Sequence, residues 1–151
     1  RGLSKTEIRD YEGAISDYDK ALELNPKYTN ALENRGITRS KSGDYYGAIS
    51  DYNKALKLNP KDGDIYYNRG NAKRKINDYE GAISDYDKAI KLNPEDSNFL
   101  VNRGISKQNL GDTKGACIDY KNSILLGNTK IETWLKTDNG SWCRNMEFQF
   151  M

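Results

Sequence analysis

Three asparagines, Asn34, Asn68 and Asn102, follow one another at a step of 34 residues. A carboxamide carries both a donor and an acceptor. A row of them can therefore bond the N–H and C=O groups of an extended peptide, whatever its side chains. The carboxylates promise less. Asp17 and Asp19, and again Asp85 and Asp87, look like acid–base pairs, but residues two apart on a helix point about 200° from each other and cannot share a substrate or a metal. Asp51 with Lys54, and Asp85 with Lys88, fit better as i, i+3 surface pairs contributing about 0.2–0.5 kcal/mol each. The chain holds no histidine, which removes His-dependent nucleophile activation, acid–base work and metal ligation together. No glycine-rich phosphate loop, zinc spacing or calcium loop is present. The sequence therefore predicts no cofactor, no metal and no catalysis.

Two cysteines, Cys117 and Cys143, are too few for a disulfide scaffold. They read as reduced thiols, Cys117 being a small core residue within an apolar pattern. Reduced thiols favour a reducing compartment, the cytoplasm. The sequence opens on Arg1 rather than Met, with no signal or anchor segment in view. It has no apolar run of the roughly 18 residues a membrane-spanning helix needs. Lys+Arg is 24 against Asp+Glu 22, a net charge of +2 over 151 residues. That balance argues against nucleic acid as the partner, which would demand a basic surface. Aromatics at 11% leave material for a core.

The elements that must position the asparagines announce themselves by repetition. Pro26, Pro60 and Pro94 keep the 34-residue step, as do Gly2, Gly36, Gly70 and Gly104, Ala14, Ala48, Ala82 and Ala116, and Tyr18, Tyr52, Tyr86 and Tyr120. The segment 78–94 matches 10–26 at 15 of 17 positions, 44–60 at 14 and 112–128 at 7.

Each unit reads as two helices. Ala48, Tyr52 and Ala55 fall at i, i+4 and i+7, beside a row of Tyr45, Ile49, Tyr52 and Leu56, which is a helical stripe. Asn59-Pro60 ends it, with Asn tolerating the left-handed conformation and Pro unable to continue the helix. A first helix spans about 30–41, stopped by Gly43 as C-cap, with Asp44 capping the next. Asn77-Asp78 and Gly111-Asp112 repeat that joint. The glycines at 13, 47, 81 and 115 belong to helix starts or close packing. Gly36 against Ala48 lets two helices of a hairpin approach, and Tyr52 and Tyr86 are placed as wedges between one hairpin and the next. A lone hairpin cannot bury its stripe, so the units must stack into an all-α solenoid.

With Gly36, Tyr45, Ala48, Tyr52, Ala55 and Pro60 at these offsets, and Gly70, Tyr79, Ala82, Tyr86, Ala89 and Pro94 one unit on, the chain resembles the tetratricopeptide repeat family. The resemblance implies stacked antiparallel helix–turn–helix hairpins in a right-handed superhelix. It sets full repeats at 29–62, 63–96 and 97–130, a partial repeat at 1–28, a capping helix at 131–136 and a tail at 137–151. Several positions depart from the family pattern. Leu32, Tyr66 and Leu100 replace its Trp. Arg35, Arg69 and Arg103 stand where Leu is usual, and Arg39, Lys73 and Lys107 where an aromatic is usual, so the first helices look unusually polar. Thr113, Ser123 and Asn128 depart in the fourth unit, as suits an end repeat. Trp134 falls on the family's Trp position and would cover the last hairpin with Leu135. The apolar tail residues Trp142, Met146, Phe148 and Phe150 would pack back or dock into a neighbouring molecule.

The resemblance also implies that the asparagine offset faces the concave groove, where related arrays use it to hold a peptide. The same register puts Asn30, Glu33, Ile37 and Lys41, then Asp64, Tyr67, Asn71, Arg74 and Lys75, then Asn98, Val101, Ile105, Gln108 and Asn109 along that groove. The expected peptide-binding set is Asn34, Asn68, Asn102, Asn71, Lys41, Arg74, Lys75 and Tyr67, with a basic patch at Arg74/Lys75 and Tyr67 as an aromatic anchor. A carboxylate clamp of the kind used by chaperone-binding members is disfavoured, because Ile37 stands where a clamp Asn is needed. The expected function is a non-catalytic scaffold for an extended peptide or protein segment. The alternatives are self-assembly through the terminal hairpin and apolar tail, and an RNA-binding array.

Overall fold

A computed structural model describes residues 5–146, with side chains from Asp10 onward. Among the described residues there are nine α-helices and no strand. They are α1 (Lys5–Leu24), α2 (Thr29–Ser42), α3 (Tyr45–Leu58), α4 (Gly63–Lys75), α5 (Tyr79–Leu92), α6 (Ser97–Asn109), α7 (Thr113–Leu125), α8 (Thr129–Leu135) and α9 (Ser141–Arg144). A single 3-10 turn, Asp138–Gly140, separates the last two. Helices α2/α3, α4/α5 and α6/α7 form hairpins, and each hairpin packs on the next through α3/α4 and α5/α6. The first helices α2, α4 and α6 also touch in succession, so they form one wall of an α-solenoid.

Local chemistry accounts for the joints. Asp44, Asp78 and Asp112 cap α3, α5 and α7 by accepting from the N–H of Gly47, Gly81 and Gly115, and a Cβ on any of those glycines would collide with the capping carboxylate. The turns before them need one left-handed residue each, supplied by Gly43 (φ 93°), Asn77 (φ 64°) and Gly111 (φ 84°). Arg9 stands at that place in the first unit, and there α1 runs on unbroken from Lys5. The left-handed form expected at Asn59 is not adopted. Asn59 and Asn93 have φ near −131°, because the proline that follows each of them excludes helical geometry and drives its predecessor to extended backbone.

The core runs through the hairpins and on between them, one cluster joining Leu32, Tyr52 and Leu56 to Ile65 and Ala72 of the next unit. Ala48, Ala55, Ala82, Ala89 and Ala116 are fully buried, as are Tyr52 and Tyr86. Tyr52 meets Ile65 and Ala72 of the next hairpin in one buried cluster, and both tyrosines also pack within their own hairpins. A Cβ at Gly36 would lie 2.7 Å from Tyr52 Cε1, and one at Gly70 2.8 Å from Tyr86 Cε1. Each ring thus fills the space its own hairpin's glycine leaves open, laid across α2 or α4.

The C-terminal cap differs most from expectation. Cys117 on α7 and Cys143 on α9 are joined in a disulfide, with Cα atoms 5.3 Å apart and both residues buried. The expectation of two reduced thiols is therefore overturned. The chain turns back after α8 through the 3-10 turn and brings together two residues 26 positions apart. Trp134 stacks edge-on against Tyr120 at 5.3 Å and Trp142 at 6.3 Å. Trp142 and Met146 pack against the cluster of Ala116, Cys117, Tyr120 and Leu135. The tail thus folds back onto the last hairpin as far as it is described; Phe148 and Phe150 lie outside the described residues.

Candidate functional site

The wall of first helices carries a niche between α2/α3 and α4. It has a volume of about 370 Å³ and is lined by Ile37, Ser40, Lys41, Tyr45, Tyr52, Asn68, Asn71, Ala72 and Lys75. Helical spacing builds it. Asn68, Asn71, Ala72 and Lys75 lie at i, i+3, i+4 and i+7 on α4, and Ile37, Ser40 and Lys41 form the facing row on α2. The lining includes two lysines and no carboxylate. The niche therefore offers positive potential, amide donors and acceptors, and an apolar floor. Four of the expected site residues, Lys41, Asn68, Asn71 and Lys75, come together here.

The others are placed differently. Asn34 is exposed, one step earlier on α2. Asn102 donates through Nδ2 to the Tyr67 hydroxyl at 3.0 Å and to the Asn98 carbonyl at 3.0 Å. Tyr67 is held between units, its ring 4.7 Å from Phe99 and 6.0 Å from Tyr86. The Asn71 side-chain carbonyl accepts from the Tyr86 hydroxyl at 2.8 Å. Burial pushes that phenol up, opposed by Arg74 beside it. Burial likewise pushes the Tyr52 phenol up to about 12, with Ser40 opposing. At the opposite end of α2, burial, then Asp62 and Asp64, hold the Glu33 carboxyl above its ordinary value. The wall is thus acidic where α2 and α4 begin and basic where they end.

The charges that made the first helices look polar are turned inward. Arg35 bonds Asp51 through Nε (2.9 Å) and Nη2 (2.5 Å) and reaches Asp19 of the preceding unit through Nη1 (2.5 Å). Arg69 repeats this with Asp85 (2.8 and 2.6 Å) and Asn53 (2.7 Å). Arg103 does so with Asp119 (2.9 and 2.6 Å) and Asp87 (2.7 Å). A second cation joins each carboxylate: Arg39 at 2.7 Å, Lys73 at 2.9 Å and Lys107 at 2.9 Å. The pairs Asp51–Lys54 and Asp85–Lys88 are therefore not surface pairs. Asp51, Asp85 and Asp119 are buried, and Lys88 lies over the Tyr66 ring at 5.3 Å. The hydrogen bond to Asp51, the largest contribution, holds the Arg35 guanidinium above its ordinary value against the cost of burial. The sequence carried a signal for this. A cation at a usually apolar offset and an acid sixteen residues later co-occur in every full unit.

This geometry defines a class of protein: a solenoid of 34-residue helical hairpins, tied through the interior by arginine–aspartate forks, with an open wall of first helices. Tetratricopeptide repeat models match residues 5–43, 39–76 and 63–96, and the chain belongs to that family. No curated protein matches the sequence. Among solved structures, one titled as the crystal structure of MamA is 25% identical with a TM-score of 0.82, covering 89% of this chain and 77% of that one. MamA residues 41 to end from Desulfovibrio magneticus RS-1 gives 23% identity and a TM-score of 0.74, covering 87% and 72%. The Arabidopsis OM64 TPR domain gives 20% and 0.66, covering 77% and 90%. The family and fold are those of protein–protein interaction scaffolds, which are typically non-catalytic.

Proposed function

We propose that the wall formed by α2, α4 and α6 binds an extended peptide or protein segment. The observation that carries this is the niche between α2/α3 and α4, where Lys41, Lys75, Asn68 and Asn71 converge on about 370 Å³ of open space. Asn68 and Asn34 supply backbone-reading amides, and Asn102 extends the row although it is also bonded to Tyr67. Lys41 and Lys75 supply charge, with Arg74 and Tyr67 supporting the wall from within. The test is the double variant Asn34→Ala, Asn68→Ala. It should weaken binding of a partner segment recovered by pull-down, with helicity by circular dichroism unchanged. Undiminished affinity removes the asparagine row from the mechanism.

Self-assembly is the second reading, favoured by bulky side chains that the array leaves exposed, Leu125 at 83% and Tyr46 at 74%. Deleting 141–151 and measuring mass by light scattering decides whether the tail takes part. RNA binding draws little support, because Arg35, Arg39, Arg69, Lys73, Arg103 and Lys107 spend their charge on internal carboxylates.

A further inference from the structure

The niche recurs. Two repeat lengths further on, Ile105, Gln108 and Tyr120 occupy the register of Ile37, Ser40 and Tyr52, and with Ile131 and Trp134 they line a second opening of about 260 Å³. Its lining has no charged residue. Between the two, the corresponding side chains bond one another across the wall. Asn71 is bonded to Tyr86, Arg74 lies against the Tyr86 phenol, and Asn102 is bonded to Tyr67. One wall thus carries a basic, amide-lined niche and an apolar, aromatic-walled niche, two repeat steps apart.

Resting on the peptide-groove reading above, we infer that the bound segment carries an internal acidic side chain and a bulky apolar side chain about six residues apart. The acid seats between Lys41 and Lys75, and the apolar side chain between Tyr120 and Trp134. The spacing follows from the architecture. Successive first helices in contact lie about 10 Å apart, so two steps along the wall cover about 20 Å. An extended chain advances about 3.3 Å per residue, which is about six residues. Charge complementarity chooses the acid, since the first niche has two ammonium groups and no carboxylate. Burial chooses the apolar residue, since the second niche offers an aromatic edge and two isoleucines, and its Gln108 carbonyl already accepts from the Tyr120 hydroxyl at 2.9 Å.

The test is an array of C-terminally amidated peptides on a Gly/Ser/Thr background, each with one Glu and one Leu, in both orders, at separations of two to nine residues. Binding to the full chain is read by fluorescence anisotropy. Affinity should peak at separations of five to seven and fall at least tenfold outside them or when Leu becomes Ser. In Lys41→Glu, Lys75→Glu the preference should transfer from Glu to Lys peptides, a gain that a misfolded variant cannot show. Peptides that bind with Asn68-dependent affinity but show no optimum separation, or no charge reversal, overturn this inference and leave the groove reading standing. No binding by any peptide in the array overturns both.

Discussion

Asp85 and Asp87 sit two residues apart on α5, and the same substitution at each should have very different consequences. The Asp85 side chain is 1% exposed and accepts from Arg69 and Lys73 at 2.6–2.9 Å. In Asp85→Ala both cations lose their carboxylate. At an effective dielectric near 20, each pair loses about 4 kcal/mol of attraction at 4 Å charge separation, and removing the desolvated carboxylate returns several kcal/mol of that. The net cost of breaking a buried pair by removing one partner is about 3–5 kcal/mol. The low end applies here, because Arg69 and Lys73 keep 14% and 20% side-chain exposure and recover some hydration. The third arm of Arg69 meets neutral Asn53 rather than an acid, and the Tyr66 ring 5.5 Å from its guanidinium and the Gly81 carbonyl 3.4 Å from Lys73 Nζ replace only a small part of the lost attraction. About 3 kcal/mol corresponds to a fall in Tm of about 6–12 °C for a chain of this size. Asp87→Ala removes a side chain that is 56% exposed and paired with Arg103 at 2.7 Å, which should cost less than about 1 kcal/mol. Urea melts followed at 222 nm compare the two. Equal midpoints for Asp85→Ala and Asp87→Ala would refute the view that the forks are structural members of the interior.

Three further outcomes are expected. Gly70→Ala places a Cβ 2.8 Å from the buried Tyr86 ring, so overpacking of about 1–3 kcal/mol should outweigh the gain in helix propensity of about 1 kcal/mol. Gly13→Ala, with nothing within 4 Å, should stabilise, and a common sign in thermal melts would contradict the packing argument. In Cys143→Ser the cap loses its tie to α7 at a cost of about 3 kcal/mol. Both tryptophans of the chain, Trp134 and Trp142, lie in that cap, so their emission should shift to the red while most helicity remains; unshifted emission would show that the cap holds without the disulfide. Burial pushes the Tyr52 and Tyr120 phenols up to about 12. The folded state therefore prefers the protonated form, and that stability, complete below pH 10, is lost as pH rises from 10 through about 12. Absorbance at 295 nm should show these phenols ionising late and together with loss of helicity; ionisation near 10 with helices intact would count against their burial.

What the sequence revealed and what it hid divide along the distance over which information acts. Gly43, Asp44 and Pro60 act on neighbours within four residues, so helix bounds and hairpin order were legible, and the 34-residue step showed that hairpins stack. Even there a neighbour could override a residue's own tendency, as Pro60 does by forcing Asn59 into extended backbone. The forks required knowing that Arg35 on one helix and Asp51 on the next point at each other, information spread over sixteen residues and a turn. Read singly, each is a charge on a helix, and the ordinary place for a charge is the surface. The disulfide needed still more, a chain reversal at Asp138–Gly140 that no periodicity marks. The candidate site lies between these cases. The asparagine step was visible, yet which rungs remain open depends on residues from adjoining units. Asn68 lines open space because Ile37 and Ser40 leave room opposite it, whereas Asn102 is drawn into a bond by Tyr67. Repeats that are nearly identical in sequence thus become unequal in what they present, and the inequality is decided at the interfaces between units rather than within them.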